Sequence, residues 1–377
     1  MLHILVDPTV FRYGRCGLTR YYAAVCEGLA RQQVHLSIPL LSSNSDFKPG
    51  IARWTDPLRR IPKLGGLLDT LSERWFHHLV RRGDYDCILF TSPSFDAGFL
   101  RHNPSARFLM IVHDLMSCVT APDGLYDAAG PGMVALMYLA NRASRVVCIS
   151  HDTRRALLSH GLVQADRTAV VLTGNLLAAS QPQEQTVPLP RRFLLFVGER
   201  SGRKGFYSLI RILPEILRAA PDLHLVCTGT LREAETDYIA RHIPLDRVHA
   251  IPANDGVLVT LYRRALCLVY PSLYEGFGLP VIEAMHYGCP VITSRCGALA
   301  EVAGDAAILI DPNQPEQMRD AILRLASDPA WTERCSKAGQ THASGFAVDR
   351  MMQSLRAELE RATEPPHHET TLDYSVV

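Results

Sequence analysis

The sequence has no surplus of charge of either sign, because its 377 residues include 39 Lys and Arg against 38 Asp and Glu. A nucleic-acid partner normally requires a basic excess, so binding to DNA or RNA is not expected. The sequence also lacks any apolar run near the roughly 20 residues that span a bilayer. Its ten cysteines are scattered singly, and none forms a CxxC pair. This usage is typical of reduced, buried thiols in a cytoplasmic protein.

The chain is longer than one hydrophobic core usually supports, which predicts two domains. Short apolar segments alternate with helical patterns through both halves, as in parallel α/β domains. They predict strands at 2–6, 34–40, 87–90, 108–112 and 146–149 in the first half, and at 193–197, 224–228, 248–251, 267–270 and 290–293 in the second. A helix is expected from about Phe206. We assign residues 1–176 to the first domain and 192–346 to the second, with a Pro- and Gln-rich linker at 177–191. An amphipathic helix at 347–363 and a loose tail at 364–377 follow. Two successive Rossmann-like domains place a ligand in the cleft between them, at the carboxyl ends of the strands.

The stretch YEGFGLPVIEAM, residues 274–285, carries the strongest signal for a ligand. A buried strand is predicted before it and a helix within it. Gly276 and Gly278 leave backbone N–H groups accessible at the positive end of that helix, which favours phosphate. Two carboxylates, Glu275 and Glu283, remain for hydroxyl groups. This combination suits a sugar nucleotide better than a bare phosphate.

A second turn, VGERSGRKG at residues 197–205, also joins a predicted strand to a predicted helix. It offers Arg200 and Lys204 at the carboxyl edge of the sheet. Two such cations can stabilise a diphosphate leaving group as its negative charge develops, without a metal ion. A P-loop is excluded, because no Gly-Lys-Ser/Thr follows the required glycine. The alternative interpretation is two solvated basic residues on an ordinary turn.

In the first half, Gly14 and Gly17 follow the first predicted strand, but a full GxGxxG is absent. They either let backbone approach a ligand or form a plain tight turn, and the pattern leaves both open. His113 directly follows the strand at 108–112, where the sites of α/β proteins gather. A role in hydrogen-bonding a sugar or in polarising the reaction centre fits best. The DYD motif at 84–86 precedes a strand and lies at the opposite edge, so we predict no metal site.

Residues 51–82 carry seven Lys or Arg against three acids, together with two of the three tryptophans. Leu68, Leu71, Trp75 and Leu79 fall on one helical face. One interpretation is an ordinary helix packed on the first domain. The other is an interfacial patch that meets a lipid-linked acceptor at an anionic membrane.

Taken together, these segments resemble the retaining glycosyltransferases of family GT4, which have the GT-B fold. The resemblance is strongest from Phe193 to Pro312, and it rests on FVGERSGRKGF and on LYRRALCLVYPSLYEGFGLPVIEAMHYGCPVITSRCGALAEVAGDAAILIDP. The first half matches more loosely, through the early glycine turn, VHD at 112–114 and VVCISHDTRRALL at 146–158. The spacing of the two cations is similar to that of mannosyltransferases that build bacterial surface polysaccharides.

The resemblance implies a role for each matching residue. Arg200 and Lys204 would bind the donor diphosphate, and Glu283 would hold the ribose hydroxyls. Glu275 and His113 would contact the transferred sugar. The implied catalytic set is His113, Arg200, Lys204 and Glu275, and the implied donor-binding set is Gly14, Gly17, Gly198, Gly276, Phe277, Gly278, Leu279 and Glu283. The helix at 347–363 would cross back to the first domain, as in other GT-B proteins.

The resemblance further implies transfer of a hexose with retained configuration, with no metal and no cofactor beyond the nucleoside-diphosphate sugar. GDP-mannose is the implied donor, and a glycan or lipid-linked oligosaccharide in surface polysaccharide synthesis is the implied acceptor. A sugar-nucleotide epimerase of the same fold and a catalytically silent sugar-nucleotide-binding subunit are the alternatives. An NAD-dependent dehydrogenase fits less well, because the glycine fingerprint is absent. The expected location is cytoplasmic, with peripheral membrane contact through residues 51–82.

Overall fold

The computed structural model describes residues 1–14, 16–43, 64–115 and 131–364. The chain divides into two compact units. The described residues of unit one fall within Met1–Cys148, Arg154–Val171 and Met352–Val377, and those of unit two within Ile149–Thr153 and Leu172–Met351. Part of the basic segment predicted above, residues 51–63, and the predicted tail beyond residue 364 lie outside the described residues.

Unit one is built on a parallel sheet of six strands. They are β1 (His3–Val6), β2 (His35–Ser37), β3 (Cys87–Phe90), β4 (Phe108–Val112), β5 (Arg145–Cys148) and β6 (Thr168–Val170). Their spatial order is β2-β1-β3-β4-β5-β6, and Leu5 of β1 lies beside Ile88 of β3. The order therefore reverses between β1 and β3, and such a switch point is where ligands bind in open α/β sheets.

The helices between these strands, within the described residues, are α1 (Gly17–Arg31), α2 (Leu64–Arg82), α3 (Pro131–Arg142) and α4 (His151–Ser159). The first three residues of α4 belong to unit two, and the rest belong to unit one. A buried apolar cluster joins α2 and α3 to the strands, with Phe76, Ile88, Phe108 and Leu136 among its members. Helices α2 and α3 thus supply the apolar cover that the faces of parallel strands need.

Unit two contains a second parallel sheet of six strands. They are β7 (Phe193–Phe196), β8 (His224–Thr228), β9 (Val248–Ile251), β10 (Cys267–Tyr270), β11 (Val291–Ser294) and β12 (Ile308–Ile310). Their order, β12-β11-β10-β7-β8-β9, is the Rossmann order, with the switch point between β7 and β10. Both of these strands are apolar and buried along their whole length, FLLF and CLVY, as expected for central parallel strands.

The remaining helices follow in chain order. They are α5 (Leu176–Ala179), α6 (Phe206–Ala219), α7 (Glu233–His242), α8 (Asp255–Arg264), α9 (Leu279–His286), α10 (Gly297–Ala303), α11 (Pro315–Ser327), α12 (Pro329–Ala343) and α13 (Val348–Thr363). The short helix α5 lies at the start of the segment predicted as a linker, and residues 180–192 contain neither helix nor strand. Of the helices in the described ranges, none has the length and apolar character that crossing a membrane requires.

The apolar runs predicted most of these strands. The predictions at 87–90, 108–112, 224–228, 248–251 and 267–270 coincide with β3, β4, β8, β9 and β10. The predicted strand at 34–40 is longer than the observed β2, which ends at Ser37. Pro39 explains the difference, because proline has no N–H to donate to a strand ladder.

Helix α13 ties the end of the described chain to unit one, as the resemblance implied for a crossing helix. Its first turn belongs to unit two and its residues from Met352 onward to unit one. Glu358 of α13 accepts hydrogen bonds from Arg145 at 2.8 Å and 2.7 Å, and their side chains are 6% and 15% exposed. Arg356 donates to the carbonyl oxygen of Gln32 at 2.9 Å. The buried Arg145–Glu358 ion pair and the Arg356 hydrogen bond thus attach α13 to unit one.

We predict that Glu358→Ala lowers the thermal midpoint of unfolding by several degrees, equivalent to about 3 kcal/mol. The reason is that the variant leaves the guanidinium of Arg145 buried without its counterion. Glu360→Ala on the same helix is the matched control, because its ion pair with Arg356 is exposed and worth at most about 1 kcal/mol. Thermal unfolding followed by circular dichroism measures both. Equal shifts in the two variants would contradict the prediction.

Candidate active site

Two turns meet at the carboxyl edge of the unit-two sheet: the β7 turn, residues 197–205, and the β10 turn, residues 271–278. They are adjacent because β7 and β10 are paired neighbours. The N–H of Leu273 donates to the carbonyl oxygen of Arg203 at 2.8 Å. Gly205 has a positive φ of 72°, and a Cβ added there would lie 2.2 Å from the carbonyl oxygen of Pro271. Only glycine therefore allows the two turns to approach this closely.

Lys204, Tyr270 and Glu275 form a hydrogen-bonded group, here named the Lys204 cluster. The Lys204 Nζ donates to Glu275 Oε1 at 2.5 Å and to the Tyr270 hydroxyl at 2.8 Å. The Tyr270 hydroxyl donates to the same Glu275 oxygen at 3.0 Å. The lysine and glutamate side chains are only 14% and 12% exposed. The cluster therefore holds a cation and a carboxylate largely away from water.

Burial has opposite effects on the two proton donors of the cluster. It lowers the pKa of Lys204, and the neighbouring Glu275 carboxylate opposes that shift. It raises the pKa of Tyr270 well above its ordinary value, to which Glu275 also contributes. Tyr270 is thus a neutral donor at physiological pH, and the Glu275 carboxylate favours the charged form of Lys204. A phosphate placed here would act on Lys204 in the same direction.

The two arginines of the β7 turn have different partners. Arg203 donates to the carbonyl oxygen of Tyr274 at 2.7 Å and lies 3.5 Å from Glu275. Arg200 is 7% exposed, and its Nε donates to Glu235 at 3.0 Å. Its other nitrogens donate to the carbonyl oxygens of Thr228, at 2.6 Å, and Thr230. Arg200 is therefore engaged at the end of β8, whereas Arg203 and Lys204 contact the β10 turn.

The β10 turn leads into α9 through Gly278, which has a positive φ of 98°. A Cβ added there would lie 2.6 Å from the Leu299 side chain, so glycine is required for close packing. Phe277 is 4% exposed, and its ring packs edge-on against Phe346 with centroids 6.0 Å apart. The Phe277 side chain is thus engaged in packing within unit two. Leu279 is the first residue of α9, so its N–H lies at the positive helix end.

Glu283 lies on the second turn of α9 and is 3% exposed. The hydroxyl of Tyr262, on α8, donates to its Oε2 at 2.9 Å. Gly198 begins the β7 turn with a φ of 107°, and its N–H donates to the Thr228 hydroxyl at 3.0 Å. Gly276 is buried in the β10 turn. Gly198 follows β7, and Gly276 and Glu283 follow β10, its paired neighbour in the sheet.

His113 lies in unit one, at the carboxyl end of β4. Its ring packs edge-on against Tyr21, with centroids 4.7 Å apart, and against Tyr22 at 5.4 Å. Burial lowers the pKa of His113 to about 3, so the imidazole is neutral at physiological pH. Its Nε2 and the Tyr21 hydroxyl are buried, and neither has a hydrogen-bond partner in the part of the chain that the structure describes. A neutral imidazole with an unpartnered nitrogen can hydrogen-bond a sugar hydroxyl.

Gly14 and Gly17 lie at the start of α1 in unit one, after the carboxyl end of β1. A Cβ added at Gly14 would meet nothing within 4 Å. Gly17 is the first residue of α1, and Cys16 and Thr19 form a capping box around it. The arrangement leaves open backbone at a helix N-terminus, as a ligand-binding loop requires.

The structure thus collects most of the predicted residues of unit two at one edge, while His113, Gly14 and Gly17 belong to unit one. Sequence reasoning missed Tyr270, Tyr262, Arg203 and Glu235. Tyr270 carried a usable signal, because it is a polar residue at the carboxyl end of a predicted strand. Glu235 carried a weaker one, as the third residue of a helix with a capping-box pattern.

Comparison with known families agrees with this geometry. The profile described as "Glycosyl transferases group 1" matches residues 179–342, and that described as "Glycosyl transferase 4-like domain" matches residues 17–174. The O-antigen chain mannosyltransferase B of Escherichia coli is 42% identical over 333 residues, which cover 82% of this chain and 84% of that protein. The D-inositol 3-phosphate glycosyltransferase of Thermobifida fusca is 28% identical over 236 residues, 57% of this chain and 54% of its own length. The match thus spans about half of that relative.

Solved structures support the same architecture. Sucrose-phosphate synthase from Thermosynechococcus elongatus superposes with a TM-score of 0.72 at 22% identity, over 96% of this chain and all (100%) of that one. The Anabaena protein Alr3699/HepE, solved with UDP and glucose, superposes with a TM-score of 0.67 at 19% identity, over 96% and 99% of the two chains. The two Rossmann-like sheets thus define a protein of the GT-B fold. Within that class, the chain belongs to glycosyltransferase family GT4.

We predict that Gly205→Ala destabilises unit two and impairs the Lys204 cluster. The positive φ costs about 1–3 kcal/mol for alanine, and the clash with the Pro271 carbonyl oxygen adds to it. Gly202→Ala in the same turn is the control, because a Cβ there meets nothing within 4 Å. Thermal unfolding of the two variants tests the prediction, which fails if Gly202→Ala loses as much stability as Gly205→Ala.

Proposed function

We propose that the protein is a retaining hexosyltransferase that moves mannose from GDP-mannose onto a glycan or lipid-linked oligosaccharide. The Escherichia coli relative that is 42% identical bears the name O-antigen chain mannosyltransferase B, which supports mannose as the sugar and a surface polysaccharide as the product. The Lys204 cluster, placed beside the N-terminus of α9, is the observation that carries the proposal. It offers a buried cation and a carboxylate to a ligand that has both phosphate and hydroxyl groups.

In the proposed reaction, the bond between the anomeric carbon and the diphosphate oxygen breaks. A bond from that carbon to an acceptor hydroxyl oxygen forms on the same face, and the hydroxyl proton passes to the departing phosphate oxygen. Configuration is therefore retained without a protein base. The low pKa of His113, about 3, agrees with a hydrogen-bonding role, because so weak a base accepts no proton at neutral pH.

The donor would be held mainly by unit two. Lys204 and the backbone N–H groups of residues 276–279 would balance the charge of the diphosphate. Glu275, released from Lys204, would accept a hydrogen bond from the sugar, and Glu283 would accept one from the ribose. Arg200 would reach the diphosphate only by exchanging its bonds to the carbonyl oxygens of Thr228 and Thr230 for bonds to phosphate.

Unit one would receive the acceptor. Its Gly14 and Gly17 would contribute backbone to donor binding, and His113 would contact the transferred sugar. Its helix α2 buries Phe76 and Val80 but leaves Leu67 and Leu71 exposed by 53% and 40%. Exposed leucines beside Arg74 on one helix support peripheral contact with an anionic membrane that carries the acceptor. We propose that α2 contacts the cytoplasmic face of this membrane, because the nucleotide-sugar donor would be found in the cytoplasm.

The central test is transfer from GDP-mannose to a mannose-terminated oligosaccharide in the presence of EDTA. The expected result is release of GDP with formation of a linkage that keeps the donor's anomeric configuration, determined by NMR. UDP-glucose is the comparison donor. A strict metal requirement or an inverted product would overturn the mechanism. Conversion of GDP-mannose to an isomer without acceptor would indicate the epimerase alternative, for which the comparisons offer no support.

We predict that Lys204→Ala lowers turnover by about 100-fold or more, because one charge-stabilising donor is worth that much in a buried site. Lys337→Ala is the matched control, since that lysine is 72% exposed and paired with Glu333 on α12. Both variants are compared with the natural protein by initial rates and by circular dichroism. Unchanged turnover in folded Lys204→Ala would remove the lysine from the site.

A further inference from the structure

A cavity of about 200 Å³ opens at the carboxyl edge of the unit-one sheet. It lies at the switch point between β1 and β3, where the order of strands reverses. Arg12 follows β1, Asp96 follows β3, and Glu73 and His77 project from α2 into its lining. This is the position where an open parallel sheet binds its ligand. None of these four residues has a role in the function proposed above.

The charges around the cavity disfavour an anionic ligand. Among the described residues of the lining, Arg12 is the cation, and it donates to Glu73 at 3.3 Å and to the carbonyl oxygen of Asp69 at 3.1 Å. Asp96 is a further carboxylate of the lining. Asp7 also lines the cavity, but burial raises its pKa, and its oxygens already accept from Thr9 and Thr91. Burial lowers the pKa of His77, so this histidine adds no positive charge at neutral pH. A phosphate or carboxylate would therefore meet a net negative charge from the described residues of this lining.

The same lining suits a neutral, hydroxyl-rich ligand. Asp96 uses Oδ1 to accept from the N–H of Gly98 at 2.8 Å, so its Oδ2 can accept from a hydroxyl group. The hydroxyls of Ser92 and Ser94 lie 3.2 Å apart and can donate or accept. Phe76 and Phe99 supply the apolar surface against which the C–H face of a sugar ring packs.

The volume of the cavity limits the size of the ligand, and backbone strain beside it supports a binding role. Pockets for drug-sized ligands measure about 300–1,000 Å³, so a cavity of about 200 Å³ admits one sugar ring but not a nucleotide. Phe95, between two lining residues, is buried with a positive φ of 54°. A non-glycine residue in that region costs about 1–3 kcal/mol, and such strain is concentrated at binding sites.

We propose that this cavity binds one neutral pyranose residue of the acceptor glycan, an assignment that rests on the proposed glycosyltransferase function. Asp96 and His77 hydrogen-bond its hydroxyl groups, and Glu73 keeps Arg12 from attracting an anion. The polar side of α2 thus faces an acceptor sugar. The same edge of the sheet carries His113, at the end of the neighbouring strand β4.

The test measures binding and turnover separately. Methyl α-D-mannopyranoside is titrated against the full chain by saturation-transfer NMR, with inorganic phosphate as the competing anion. Asp96→Asn keeps an oxygen for the Gly98 N–H but loses the charge, and His77→Gln is the second variant. Asp84→Asn is the matched control, because that exposed carboxylate pairs with Arg82 at the opposite edge of the same sheet. Thermal unfolding verifies that each variant is folded.

We expect Kd for the pyranoside, and KM for the oligosaccharide acceptor, to rise about tenfold in Asp96→Asn and His77→Gln. KM for GDP-mannose and all values for Asp84→Asn should stay unchanged. The proposal is overturned if neither pyranoside binding nor acceptor KM changes in folded variants, or if phosphate displaces the sugar. If the variants lose pyranoside binding while no donor supports transfer, the cavity assignment stands and the proposed function fails.

Discussion

The candidate active site of unit two depends on one steric constraint, the close approach of Gly205 to the carbonyl oxygen of Pro271. An added Cβ would lie 2.2 Å from that oxygen, so the contact exists only because the residue is glycine. It places the preceding residue, Lys204, against the end of β10. There its Nζ donates hydrogen bonds to Glu275 and Tyr270, and the side chains of Lys204 and Glu275 are largely buried. The positions of Lys204 and Glu275 at this edge of the sheet thus follow from the packing of the two turns.

The candidate binding groups of the two units differ in charge. Unit two presents a buried cation, a helix N-terminus and glycine turns, all of which suit a diphosphate. Unit one presents a neutral histidine at the end of β4 and a cavity with more carboxylates than cations. Such groups suit uncharged hydroxyls. A donor that carries phosphate and an acceptor that carries sugar hydroxyls would therefore be distinguished by electrostatics before shape is considered.

Sequence reasoning predicted the elements that local chemistry determines. Buried parallel strands read as short apolar runs, so β3, β4 and β10 were predicted with their observed bounds. The same reasoning predicted both glycine turns and the start of α6 at Phe206. It overestimated the length of β2. It did not predict the edge strand β12, Ile308–Ile310, because an apolar run of three residues is not distinguishable from a loop.

The sequence by itself determined two parallel α/β units and the glycine turns at strand ends. It did so because apolar periodicity and glycine's positive φ are local properties. Only the tertiary structure decided which side chains meet. It directed Arg200 to Glu235, joined Lys204 with Tyr270 and Glu275, and turned Phe277 toward Phe346. These partnerships join residues far apart in the chain, so they depend on strand order and burial rather than on spacing along the sequence.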